Sequence, residues 1–508
     1  MNSKPLYHTT RSGNPEARRA TIGLAVLFLL AVLPALALAA DMTGTSRTYL
    51  LYRETASDNK LAPIYEYLDL NVQDLGKETI SVHFGGWLGY DLQDDSFGND
   101  KKKGSDLQYG YVSYRAKERN AIVNLGRVMV FEGVAAARID GAYARTDIKG
   151  GFGIAVYGGA PVETGTDQPG NSMIYGARLS HQNPGLYTVG VSYLKEDKNS
   201  ATFREEAGID LSVRPVNKVE LMGRSSYNAV TDGWMEHSYY LILGPFEKIR
   251  FNTEVSNISY ADYFAGATTS VFKFAPGGPL DPKEKVNIVG EEIFYSVNQN
   301  WSVSFDLKKY DYDIAGSAYY NGAKVTFAMP KTYNAGLSVH RMDGDTNRLR
   351  YDEYRIYASK KINKFDVALD VLDVKYKEPI NSVSNAYSVT LASGYELTHK
   401  LKLGADLEYS KNPDFNKDIR FFAKVVYSFD AAGASHKPAA GQDDRKVTPE
   451  AAAPAAAPVA APAPEQSATK PAAEPAAPAA AAPLQEAPAA SVEPAASSGE
   501  QAKPKEGN

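Results

Sequence analysis

Between residues 41 and 430 the chain is a succession of segments in which every second side chain is apolar or aromatic and those between are small or charged. A period of two belongs to a strand with two unlike faces. In residues 401–409, Leu401, Leu403, Ala405, Leu407 and Tyr409 share one face, while Lys402, Gly404, Asp406 and Glu408 share the other. Tyr187, Val189, Val191 and Tyr193 alternate with Thr188, Gly190 and Ser192. Trp301, Val303, Phe305 and Leu307 alternate with Ser302, Ser304, Asp306 and Lys308, and Phe365, Val367, Leu369 and Val371 repeat the pattern. Such a chain folds as sheet, and each strand has one wet face.

A soluble sandwich alternates too, so the placement of aromatics and charges has to decide. Tyr187 and Tyr193, Trp301, Tyr387 and Tyr395, and Tyr427 with Phe429 bracket short aliphatic stretches, as girdles at two membrane interfaces do. The polar face carries charges in mid-strand, which a packed core rejects and a water-filled lumen accepts. The expected fold is all-β: a transmembrane, antiparallel, up-and-down β-barrel occupying residues 41–429.

Residues 1–40 read as an export signal. Arg11, Arg18 and Arg19 precede an apolar stretch from Thr21 to Leu33, and the small residues Ala37, Ala39 and Ala40 close it, placing cleavage near Asp41. No other apolar run is long enough for a membrane helix. The composition breaks at Asp430, beyond which Ala, Pro, Glu, Lys, Gln and Ser dominate. A segment of that kind cannot bury enough apolar area to offset its ordering entropy, so residues 430–508 are expected to be a disordered tail. Its prolines favour an extended spacer of about 3.1 Å per residue.

The chain contains 0 cysteines, which excludes disulfides, zinc–thiolate sites and c-type haem attachment, and no cofactor is expected. The net charge of −5 over 508 residues gives no reason to expect nucleic acid as a partner.

Connections alternate in length. The short ones fall at residues 214–218, 244–248, 297–301, 361–364 and 397–401, and the long ones at 93–105, 131–141, 160–172, 261–285 and 342–349. In a membrane barrel the short set faces the periplasm and the long set the outside. Counting back from a last strand that ends in the periplasm gives about 22 strands (range 18–22), with residues 47–54 and 64–71 as the first two. The apolar face changes inside residues 369–376, from Leu369 and Val371 to Leu372, Val374 and Tyr376, which suggests a bulge or a strand leaving the membrane.

Residues 420–429 place Phe421, Ala423, Val425, Tyr427 and Phe429 on one face. This segment resembles the closing strand by which outer-membrane barrels are recognised for assembly, so Phe421, Val425, Tyr427 and Phe429 form the expected assembly signal. It departs from the pattern in one respect, because the phenylalanine normally ends the chain and here a tail follows. The whole span resembles the outer-membrane β-barrel channel (porin-like) proteins of Gram-negative bacteria. That resemblance implies location in the outer membrane with the tail in the periplasm, contact with outer-membrane lipid and engagement of the barrel-assembly machinery.

Residues 125–145 gather Arg127, Glu132, Arg138, Asp140 and Arg145 around the small-residue run 133–137. Porin-like channels fold one outside loop inward, setting acids against arginines so that a transverse field selects solutes. By that resemblance these five residues are the expected channel constriction; the bland alternative is a loop packed on the wall with its charges solvated. Loop 261–285 carries Tyr263, Phe264, Phe272 and Phe274, which suits packing over the barrel mouth.

Asp343, Gly344, Asp345, Thr346 and Asn347 look like the start of a calcium loop, but Arg348 stands where a glycine is needed and Tyr354 where a bidentate glutamate belongs, so no metal is expected. Five histidines fall in the span: His83, His181, His237, His340 and His399. His237 and Ser238 are neighbours on a strand and point to opposite faces, so an enzyme is not expected.

The leading expectation is a channel for passive diffusion of small hydrophilic solutes or ions. A second is a sleeve holding a multihaem cytochrome in an extracellular electron-transfer conduit. A third is a barrel that tethers the envelope through its tail to the cell wall or a periplasmic partner. A homo-oligomer fits any of them. An energised transporter fits less well, since hardly any residues lie between the cleavage site and Arg47 to form a plug.

Overall fold

The computed structural model describes residues 41–431 apart from 55–59, 76–78, 94–101, 117, 119, 163–171, 264–280, 282, 330–331 and 414–416. The segment read as export signal and residues 432–508 of the tail lie outside the described residues, as do Phe264, Phe272 and Phe274, while Asp430 and Ala431 belong to the last strand rather than to the tail.

The strands are β1 (Asp41–Glu54), β2 (Lys60–Leu61), β3 (Pro63–Leu75), β4 (Ile80–Asp91), β5 (Lys103–Arg115), β6 (Ala121–Glu132), β7 (Ala135–Ile148) and β8 (Phe152–Pro161). They continue as β9 (Ser172–Asn183), β10 (Tyr187–Lys198), β11 (Ala201–Val216), β12 (Val219–Asn228), β13 (Gly233–Phe246), β14 (Ile249–Ser259), β15 (Lys285–Ser296) and β16 (Trp301–Tyr312). The series ends with β17 (Gly316–Met329), β18 (Tyr333–Gly344), β19 (Tyr351–Ile362), β20 (Phe365–Ile380), β21 (Val383–Glu396), β22 (Leu401–Lys411) and β23 (Asp418–Ala431). Strand β2 is a two-residue pairing against Arg53 and Glu54, and the other 22 form a closed antiparallel barrel.

Closure is what makes the sheet viable in lipid. A sheet edge in hydrocarbon leaves backbone N–H and C=O groups without partners, each at a cost of several kcal/mol, and a barrel has no edge. Here β1 pairs with β3 on one side and with β23 on the other, from Met42 opposite Ala431 to Arg53 opposite Arg420. Both ends of the barrel therefore share one rim, the near rim. The same rim holds the connections 184–186, 217–218, 247–248 and 363–364, all tight turns.

The outer face is apolar. Leu88, Val112, Ile154, Val191, Val255, Val289, Leu307, Ile356, Leu391 and Leu407 are all exposed, an arrangement that lipid tolerates and water does not. Rings bracket this belt: Trp301 contacts Phe327 and Phe327 contacts Tyr333 towards the near rim, and Tyr387 contacts Tyr409 towards the far one. Phe421, Ala423, Val425, Tyr427 and Phe429 share the outer face of β23, with Val425 and Tyr427 exposed. The inner face is polar, with Glu254 on β14, Asp306 and Lys308 on β16 and His340 on β18.

Three expectations need correction. Residues 131–141 are not a long loop: β6 and β7 pair directly, Glu132 opposite Ala135, around the two-residue turn 133–134. The far rim also holds the tight turns 199–200 and 381–382, so long and short connections do not alternate strictly. Local sequence shows where a turn is, not how far the flanking strands run. The change of face in residues 369–376 is likewise not a bulge there. Strand β20 stays in register with β21 from Phe365 to Lys375, and the shift comes only before Ile380. Val374 and Tyr376 instead pack with Ile288, Tyr310, Met342 and Tyr351 in an apolar cluster inside the barrel wall.

Candidate functional site

The pairing pattern changes at one place in the wall. Strand β5 pairs with β4 as far as Lys103, but with β6 only from Gly110 to Arg115. Strand β7 pairs with β8 from Ile139 onward. The outer part of the β6–β7 hairpin, residues 128–138, thus leaves the wall. Gly126, with φ +130, sits at the departure point in a backbone region that side chains rarely adopt.

The hairpin turns into the lumen. Val134 at its tip donates its N–H to Ser192 Oγ at 3.0 Å, and Arg204 Nη2 donates to the Val134 carbonyl at 3.4 Å; both partners lie on the inner face of the wall, in β10 and β11. Its underside, Val128, Val130, Ala135 and Ile139, packs on Tyr157, Ile174 and Leu194 of β8, β9 and β10. Burying these side chains holds the hairpin down without any covalent tie.

Charge is organised around this contact. Glu132, 4% exposed at its side chain, accepts a hydrogen bond from the Tyr143 hydroxyl at 2.7 Å and lies 3.4 Å from Arg145 and 3.5 Å from Arg178. Arg178 also pairs with Asp210 at 2.5 Å. At the base of the hairpin Arg127 grips Asp140 through two bonds of 2.6 and 2.8 Å, and donates a third, of 3.0 Å, to the Leu107 carbonyl on the edge of β5. Arg138 reaches Asp106 at 2.5 Å. Arginine suits these positions because its planar fork meets a carboxylate with two parallel bonds. A half-buried carboxylate without such partners pays a desolvation cost of several kcal/mol.

The five residues singled out in the sequence therefore form two groups. Glu132 and Arg145 meet directly at the inner wall; Arg127, Asp140 and Arg138 gather around Asp106, which lies 3.9 Å from Arg127. They sit on paired strands rather than in a loop. Sequence reasoning missed Asp106, Tyr143, Arg178, Arg204 and Asp210, which complete the groups from other strands. The only local signal for them was their place on the charged face of an alternating segment. Beyond the tip, Arg204 pairs with Glu206, and Arg224 with Glu236 at 2.6 Å; these four side chains, with Gly133 and Val134, line a cavity of about 230 Å³. Further round the inner wall are Glu254 with Lys308 at 2.8 Å, Asp306 with His340 at 3.0 Å and Arg355 with Asp370 at 2.6 Å.

His237 does not act with Ser238. Its ring meets Ser225 Oγ of β12 at 2.8 Å on the outer face, where Ser225 also bonds the Tyr239 hydroxyl at 2.6 Å. Asp345 accepts a hydrogen bond from the Ser317 N–H at 2.7 Å, so the calcium-like stretch serves as a turn between β18 and β19.

No family model matches the chain, and no curated protein matches it. Among solved structures it is similar to a variant of the ferric enterobactin receptor PfeA from Pseudomonas aeruginosa, at 10% identity, covering 77% of this chain and 81% of that one with a TM-score of 0.48. It is also similar to OccAB2 from Acinetobacter baumannii, at 11% identity, 77% and 98% coverage and a TM-score of 0.40. A third is OccK8 (OprE) from Pseudomonas aeruginosa, at 8% identity, 77% and 98% coverage and a TM-score of 0.39. The assignment of class rests on this molecule's own geometry. A sheet that closes on itself through its first and last strands, with its apolar side chains outside and its charges within, has the fold of a transmembrane β-barrel.

Proposed function

We propose that the protein is an outer-membrane channel for passive diffusion of small hydrophilic solutes or ions, narrowed by the inward β6–β7 hairpin. The observation that carries this reading is the hairpin tip seated on Ser192 and Arg204, with Glu132 set between Arg145 and Arg178 on a charged inner wall. Opposed charges fixed at a narrow section create a local field across the path, which sorts solutes by charge as well as size. Catalysis has no part in it. The rim that holds both ends of the barrel faces the periplasm, the side on which short turns belong. A sleeve around a cytochrome fits less well, because the hairpin takes up part of the lumen such a partner requires.

Osmotic swelling of proteoliposomes tests the proposal. Uptake of small sugars and amino acids is expected to fall steeply with solute size. Absence of swelling from barrels shown to be folded overturns it.

A further inference from the structure

The inner wall across the closing seam carries a row of rings on neighbouring strands. Phe422 of β23 lies 5.2 Å from Tyr49 of β1, Tyr49 lies 5.3 Å from Tyr67 of β3, and Tyr67 lies 6.3 Å from Trp87 of β4. Tyr65 extends the row, 5.4 Å from Trp87. Each ring pair is tilted or edge-on, so the rings do not stack face to face on one another. Polar groups follow the same line: Arg47 pairs with Asp69, the Tyr109 hydroxyl donates to Asp69 at 2.8 Å, Arg47 lies over Tyr67 and Lys424 over Phe422.

A cluster that only held the seam together has no need of the lumen. The packed tyrosines show what that looks like: Tyr310 and Tyr351 in the wall at 7% and 6% exposure, Tyr260 just beyond β14 at 2%, and Tyr65 at the end of this row at 6%. Tyr49, Tyr67, Trp87 and Phe422 instead stay partly exposed. Ring faces beside fixed donors and acceptors match one class of solute, the pyranose ring, which has an apolar C–H face and hydroxyls around its edge. Each cation has its own carboxylate, Arg47 in Asp69 and Lys424 in Asp406 of β22, so the row gives no preference for a charged solute.

We infer that this row is a binding lane for neutral oligosaccharides, a reading that rests on the channel function and names its solute class. The rings lie on consecutive strands, so a linear sugar chain meets several at once and moves from one to the next without leaving the wall.

The chain has 3 tryptophans, and Trp234 and Trp301 are exposed on the outer face, so replacing both with phenylalanine leaves Trp87 as the sole indole reporter. Titrating that variant in detergent with maltohexaose is expected to give a saturable change in Trp87 emission, and Tyr67→Ala is expected to weaken it roughly two- to tenfold. A neutral polyether of the same mass is expected to give none. Heat-modifiable gel mobility establishes that each variant is folded. No saturable change, the same change with the polyether, or indifference to Tyr67→Ala overturns the lane. The emission signal needs no conduction, so a barrel that binds maltohexaose and fails to conduct refutes the channel alone, and one that conducts without binding refutes the lane alone.

Discussion

The Glu132 carboxylate, at the end of a strand that has left the barrel wall, lies 3.5 Å from the Arg178 guanidinium on the inner face of β9. The two are joined by chain folding rather than by sequence proximity, and Arg145 shares the same carboxylate at 3.4 Å. Removing the acid leaves two arginines facing the path. Glu132→Gln is expected to shift the reversal potential in a salt gradient towards anion preference, while the fold is kept because glutamine still accepts from Tyr143. An unchanged reversal potential places the selecting charges elsewhere.

Gly133 has φ +63, and a Cβ there comes within 2.1 Å of Ser192 Oγ. Gly133→Ala combines that clash with a left-handed backbone cost of roughly 1–2 kcal/mol. The tip is expected to lift off β10, raising single-channel conductance with little change in the heat needed to unfold the barrel. Equal conductance shows that the tip does not set the narrow section.

The absence of cysteine makes a lock simple to build. In Val134→Cys/Gly208→Cys, where the Val134 side chain already lies against the Gly208 position, oxidation ties the tip to the wall and leaves Ser192 to accept the Val134 N–H. Conductance is expected to be the same oxidised and reduced. A large rise on reduction means that the hairpin swings away in solution.

Val425 faces outward on β23 and Lys424 inward. Val425→Arg puts a charge into the apolar belt, with an expected loss of about 2–4 kcal/mol in equilibrium unfolding if it lies near the bilayer midplane. Lys424→Ala is expected to cost much less, since its place is wet. Equal losses contradict the assignment of the two faces.

The barrel was legible because its two faces are written into each segment. The unlike faces of residues 401–409 reappear as Leu407 exposed outside and Asp406 inside, and the last strand falls where Phe421 to Phe429 placed it. The hairpin was not legible as a hairpin. The alternation breaks there, with Arg127 at the outer parity of Leu125 and four apolar residues in a row from Val128 to Phe131. That break marks only a segment apolar on both faces and does not separate a strand in the wall from one that has turned inward. What distinguishes them is the missing pairing with β5 and the docking on Ser192, 58 residues further along. Residues 372–376 misled for a related reason. Val374 and Tyr376 break the polar character of the inner face because that face is packed there by Tyr351 and Met342 from other strands, which no local pattern records.

Single-channel conductance in a planar bilayer, comparing the full chain with one shortened at Asp430, tests the channel most directly. Stable steps that scale with salt concentration and survive the shortening are expected, with the tail as an accessory. A folded, inserted barrel that passes no current in either form contradicts the channel and turns the search to whatever fills the lumen.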